Sequence, residues 1–242
     1  MGVPSTSIWT IFSLEAELSS IDLLDCFARR FMLHSDSKVA SYGEARLFGD
    51  IRKRIVGKVG RPFQIETSQA TINCQVMRNH QLQQVVLKGP DISPSDLTGF
   101  SFLERAGFVM SWIAATDYDY WQNAQESILF EAAGLDCSML PRVSNGLPPP
   151  LEMEVIDISS NPGRRTMRVG YVEAVGSLMY VSNDFARLTG FDLEAAPSFP
   201  TIEAERVLPN VVRLKAADAL FTCDEGFSRA QQMKLRQFLY PR

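Results

Sequence analysis

Residues 141–150 read Pro-Arg-Val-Ser-Asn-Gly-Leu-Pro-Pro-Pro, and four prolines with a glycine in ten positions bar both a helix and a central strand. The chain is therefore expected to divide there. Residues 1–140 form an N-terminal α+β portion, 141–150 a Pro-rich connector and 151–242 a C-terminal α+β portion. These portions stand as two similar-sized lobes or close into one compact domain. With 45% hydrophobic residues in 242, a large core can be buried either way.

Period and punctuation place the elements on both sides. Ile8-Trp9-Thr10-Ile11-Phe12 is β-branched and aromatic and predicts a strand. Ile21, Leu24, Phe27, Ala28 and Phe31 recur at steps of three and four and predict an amphipathic helix. Ser41-Tyr42-Gly43-Glu44 has capping-box spacing, so a second helix is expected after it. Leu47, Phe48, Ile51 and Ile55 would be its buried stripe and Gly57 its stop, while Arg46, Arg52, Lys53, Arg54 and Lys58 form a basic face. Thr71-Ile72-Asn73-Cys74-Gln75-Val76 switches to period two, the pattern of a half-buried antiparallel sheet. The apolar stretch from Phe100 to Ala115 fits either strand or helix, and residues 119–133 predict a helix ending at Gly134.

Beyond the connector, Leu151, Met153 and Val155 alternate with Glu152, Glu154 and Ile156, Val169 and Tyr171 alternate with Gly170 and Val172, and Leu178–Val181 is strand-like, so a second sheet is expected to begin here. Ser182-Asn183-Asp184 caps a short helix stopped by Gly190, Val211–Lys215 predicts a strand, and a terminal helix is expected near 224–239. The fold class that results is α+β, antiparallel sheets packed with helices.

Charge and chemistry narrow the function. A formal charge of −4 with 21% charged residues is too balanced for a disordered tail or a general nucleic acid coat. The opening Met1–Ser7 lacks a basic region, and Glu15 and Glu17 break the apolar run behind it, so no signal peptide is expected. No stretch of 18 apolar residues predicts a membrane span, and a cytoplasmic protein is expected. Cys26, Cys74, Cys137 and Cys223 lie too far apart for a zinc motif and read as reduced core thiols, and there are only two histidines. The common phosphate-loop, dinucleotide, zinc-protease, hydrolase and calcium motifs are missing. The expectation is a binding protein, not an enzyme, with no cofactor.

One region is chemically dense. Between 91 and 136, Asp91, Asp96, Glu104, Asp117, Asp119, Glu126, Glu131 and Asp136 face the single base Arg105, a local charge of −7. At its centre, Asp117-Tyr118-Asp119-Tyr120-Trp121 alternates carboxylates with large amphipathic rings, a mixture that supplies steering and burial at protein interfaces. Asp117, Tyr118, Asp119, Tyr120, Trp121 and Glu126 are the candidate partner-binding residues. Two other readings stay open. Trp112 and Trp121 could be core with the carboxylates merely solvated, or Asp117, Asp119 and Glu126 could hold a hard cation for phosphoester chemistry. The basic face from Arg46 to Arg61 lacks the aromatic interleaving of a nucleic acid site, and Glu152/Glu154 and Glu203/Glu205 read as surface pairs.

In layout the chain resembles the immunity proteins of bacterial polymorphic-toxin and type VI secretion systems, particularly those paired with restriction-endonuclease-fold toxins. The resemblance is carried by the opening Ser7-Ile8-Trp9 strand, the Gly99-Phe100 turn ahead of the Trp112 segment, and the strand and short helix from Tyr180 to Phe191 with Asp184-Phe185 and Leu188-Thr189-Gly190-Phe191. It implies a cytosolic inhibitor whose partner is a cognate toxin, a nuclease, while the inhibitor itself binds neither nucleic acid nor membrane. A metal-dependent phosphoesterase or nuclease, and a cytosolic adaptor or chaperone for a secreted effector, are the competing expectations.

Overall fold

The computed structural model describes residues 5–16, 18–57, 60–199 and 201–241, so Met1–Pro4, Glu17 and Lys58 of the expectations above lie outside the described residues. The fold is α+β. In chain order the first half contributes β1 (Thr6–Ser13), α1 (Ser20–Arg30), β2 (Lys38–Ser41), β3 (Glu44–Leu47), α2 (Phe48–Ile55), β4 (Phe63–Glu66), β5 (Thr71–Met77) and β6 (Leu82–Gly89). Then come α3 (Ser95–Gly99), β7 (Phe108–Ala115), α4 (Thr116–Asn123) and α5 (Ser127–Ala132). The remainder adds β8 (Arg142–Ser144), β9 (Glu154–Ile156), β10 (Thr166–Met167), β11 (Val172–Glu173), β12 (Leu178–Ser182), α6 (Asn183–Thr189), β13 (Glu203–Leu208), β14 (Val211–Lys215) and α7 (Gly226–Leu239).

Ten of these strands make one sheet in the order β13-β14-β12-β7-β1-β6-β5-β4-β2-β3, with antiparallel neighbours throughout. Strands from before and after the Pro-rich segment meet where β12 pairs with β7, Met179 opposite Trp112. The sheet separates two cores because successive side chains point to opposite faces. On one face Ile8, Ile72 and Leu87 pack with Leu23, Leu24 and Phe27 of α1 and with Ile51 and Ile55 of α2. On the other, Trp9, Trp112, Val181 and Leu214 pack with Phe185 of α6 and Leu235 and Leu239 of α7. All eight residues of β7 are buried, which explains why Phe100–Ala115 showed no alternation.

The helices α1, α6 and α7 lie where the sequence predicts, with Ser19 and Ser182 accepting from the amides of Asp22 and Phe185, and with Gly190 in the left-handed stop position. Four expectations are corrected. Ser41-Tyr42-Gly43-Glu44 is a β2–β3 hairpin and not a helix cap: Tyr42 and Gly43 both have positive φ, 52° and 78°, the geometry of a tight two-residue turn. The 119–133 helix is two helices, starting at Thr116 and interrupted at Ala124–Glu126, where the Gln125 carbonyl accepts from the Ile156 amide instead. The Leu151 and Met153 alternation does not start a second large sheet. Both side chains are exposed, and β9 pairs with β8 alone in a peripheral hairpin. Val169 and Tyr171 lie in the turn between β10 and β11.

The basic face is largely paired. Arg52 grips Asp25 of α1 through two hydrogen bonds of 2.8 and 2.9 Å, Lys53 pairs with Asp50, and Arg46 with Glu44. The hydrogen bond from Arg52 holds the Asp25 carboxyl below its ordinary value. Its contribution is present in full above the unfolded carboxylate value of about 3.9 and is lost as pH falls through the depressed one. We therefore expect Arg52→Ala to be slightly less stable than the native protein in denaturant melts near neutrality. The difference should shrink in high salt and vanish in strong acid, since the pair is solvent-screened. Of the cysteines, Cys74 is core, its thiol pushed up to about 12 by burial, whereas Cys223 is exposed, contrary to its reading as a core thiol.

Candidate functional site

The −7 stretch is not one surface. Asp96 is buried on the α1 side of the sheet, 2.7 Å from Arg30, while Asp119 is buried on the opposite side, 3.6 Å from Arg165. The helical period inside α4 sorts the rest. Asp117 and Tyr120 face outward and Tyr118, Trp121 and Asn123 are half-buried, whereas Asp119 and Gln122 point in.

The inward groups of α4 fasten it to the C-terminal half. Tyr118 donates to Gln232 of α7 at 3.0 Å, and burial raises its phenol well above the ordinary value. Gln122 donates to Asp224 and accepts from the Gly163 amide, each at 3.0 Å, while the Asn123 oxygen accepts from the Arg165 amide at 2.7 Å. Gly163 is required for this closeness, because a Cβ there would lie 2.9 Å from Gln122 Cγ. Around Asp119, burial raises the carboxyl and lowers both the Arg165 guanidinium and the Lys88 ammonium.

What this fastening builds is a cleft of about 790 Å³ between α4, the 156–161 segment and the approach to α7. Asp117, Tyr118 and Trp121 of the predicted set line it. Asp119, Tyr120 and Glu126 do not, although Tyr120 braces Trp121 edge-on at 4.9 Å and Trp121 leans on Phe130 at 4.8 Å. Asp157, Asp224 and Glu225 bring three further carboxylates from distant sequence. Against these four acids stands Arg229, which spends hydrogen bonds on the carbonyls of Ser160 and Asp224. The Ser159 amide holds the Asp157 carboxyl below its usual value, so it stays ionised. The side chains of Asp117 and Glu225 are exposed and enter no hydrogen bond or ion pair among the described residues.

Chemically the cleft is an anionic trough with an aromatic wall, suited to guanidinium or ammonium side chains. Asp157, Asp224 and Glu225 were missed because only folding brings them beside α4; Asp224-Glu225 before a helix reads simply as capping chemistry. The cation reading of Asp117, Asp119 and Glu126 does not gain from the geometry. Asp119 is turned into the Arg165 contact, and among the described residues no group of three or more His, Cys, Asp or Glu side chains is placed to hold a metal ion. Among the described residues no helix is long and apolar enough to cross a membrane.

Neither a protein-family model nor a curated protein sequence matches the chain. Among solved structures, the Pseudomonas aeruginosa T6SS protein PA0821 is similar over 99% of this chain and 75% of its own, with a TM-score of 0.54 and 12% identity. That likeness is one of fold.

Proposed function

We propose that this chain is a cytoplasmic immunity protein of a bacterial type VI secretion or polymorphic-toxin system, which binds and neutralises a cognate toxin, a nuclease, and catalyses nothing itself. The observation that carries the reading is the acidic, aromatic-walled cleft with Asp117 and Glu225 left unpaired at its rim. The fold shared with a T6SS protein supports the same setting.

The physics of the partner follows from its substrate. A nuclease must present a basic surface to attract phosphate, and an inhibitor that offers carboxylates to that surface gains association rate through long-range attraction. Trp121 and Tyr118 then supply burial, which lengthens residence. The inhibitor occupies the surface that nucleic acid would use.

The test is co-expression with the product of the adjacent gene, followed by binding kinetics on the purified pair. Asp117→Lys/Glu225→Lys should abolish protection and weaken binding roughly tenfold to a hundredfold, mostly through association and less so at high salt. Asp117→Asn/Glu225→Gln should fall between this variant and the native protein. Full protection by the charge-reversed variant would remove the cleft from the interface, and a harmless neighbouring product would remove the immunity reading itself.

A further inference from the structure

The polar half of the Thr71–Val76 alternation plays no part in the toxin-binding reading, and it does not simply face water. Register aligns Trp9 of β1 with Val86 of β6, and Val86 with Asn73 of β5, so these side chains share one face of the sheet with Gln84 and Lys88. Loop residues 123–125 and the 158–167 segment, pinned by Gln122 and Asn123, form a wall over this floor and enclose a second cleft of about 510 Å³. It is distinct from the acidic one and lies within the usual size range for small-molecule sites.

Its lining is unusual in what it leaves unbonded. Six buried side-chain polar atoms among the described residues have no hydrogen-bond partner, and four of them belong to residues of this cleft: Trp9 Nε1, Asn73 Oδ1, Gln84 Oε1 and Arg165 Nε, the last of which lies 3.6 Å from Asp119. Trp9 and Gln84 are only 6% and 4% exposed. Buried polar groups without partners are costly, so their concentration in one cavity needs a cause. The charges are also uneven. The Arg165 guanidinium lies 4.0 Å and the Lys88 ammonium 5.4 Å from the Trp9 ring centre, and the one carboxylate near them, Asp119, is turned to Arg165. Two cations against one anion leave a single negative charge to be supplied.

We propose that this cleft binds a small organic monoanion, a carboxylate that carries hydroxyl donors on the same skeleton. The carboxylate accepts from Lys88 and from the Trp9 N–H beside the Arg165 guanidinium, while the hydroxyl donors satisfy Asn73 Oδ1 and Gln84 Oε1. 2-Hydroxy acids are the class that meets both demands, whereas a zwitterionic amino acid brings no net charge. The site goes beyond the toxin-binding reading and does not depend on it.

The chain has three tryptophans, so its indole N–H spectrum has three signals, and Trp9→Phe assigns the one in the cleft. The full chain is titrated separately with 2-hydroxy acids, with the amino acids of the same side chains and with inorganic phosphate, while that signal and the melting temperature are followed. At least one 2-hydroxy acid should shift the Trp9 signal saturably and raise the melting temperature, more strongly than its amino acid counterpart. Loss of one charge-assisted hydrogen bond in Lys88→Met should weaken that binding about tenfold or more, and Gln84→Leu provides an independent second variant. Asp117→Lys/Glu225→Lys should bind the probe unchanged. A response to phosphate alone, no response to any 2-hydroxy acid, or native-strength binding by both Lys88→Met and Gln84→Leu would each overturn the proposal.

Discussion

Asp119→Ala should cost about 3–5 kcal/mol of folding stability, because it strands the buried Arg165 guanidinium without its carboxylate. Lys88 also loses the nearest opposite charge. Arg165→Met should cost less. A stranded carboxyl escapes by taking a proton, and burial has already moved Asp119 in that direction, whereas a guanidinium cannot lose one. Asp119→Ala/Arg165→Met should recover most of the loss. Burial acts against the charged form of both partners more than their attraction favours it, and a Met side chain can lie on the Trp9 ring where the guanidinium lay. The three variants and the native chain form a double-mutant cycle in urea. Additive losses would show that the pair is not coupled.

The pH dependence has the opposite sign to that of Asp25. With its folded value raised, Asp119 leaves the folded state binding the extra proton, so its part of the stability falls as pH rises from the unfolded carboxylate value of about 3.9 through the raised one. Asp119→Asn should flatten that portion of the stability curve, while Arg52→Ala flattens the acid limb that Asp25 governs.

What could be read from sequence alone follows from the range of each interaction. β1, α1 and α6 were legible because their signals are local: the β-branched and aromatic run of β1, the apolar stripe and Ser19 cap of α1, and the Ser182 cap and Gly190 stop of α6. Ser41-Tyr42-Gly43-Glu44 misled because the spacing of a capping box is also that of a two-residue hairpin, and only the left-handed conformations of Tyr42 and Gly43 separate them. Leu151 and Met153 misled because alternation indicates a strand's two faces and not whether anything covers either. The site divided in the same manner. Local composition marks Asp117, Tyr118 and Trp121, which line the cleft, and equally Asp119, which lies against Arg165, 46 positions away. Glu225 and Lys88 carried no local mark of a site, since their neighbours, α4 for the one and Trp9 and Arg165 for the other, are distant in sequence, in a chain whose two halves join in one sheet at the β12–β7 junction.

The same junction is where a single truncation should do most damage. Trp112→Ala should cost about 3–5 kcal/mol, a large fraction of a typical domain's stability. Trp112 is 1% exposed, lies opposite Met179 across β12, and stacks on Trp9 with the ring planes 2° apart and their centres 5.6 Å apart. The backbone approaches so closely that a Cβ at Gly176 would sit 3.1 Å from Trp112 Cβ, so neighbouring structure is too constrained to collapse into the void. Trp121→Ala should cost much less in the same melts, because its ring is only half-buried against Tyr120 and Phe130, yet under the proposed function it should shorten the residence of the bound partner. Trp112→Phe should restore most of the stability lost in Trp112→Ala. Equal losses for Trp112→Ala and Trp121→Ala would mean that the stacked pair does not anchor the core on its face of the sheet.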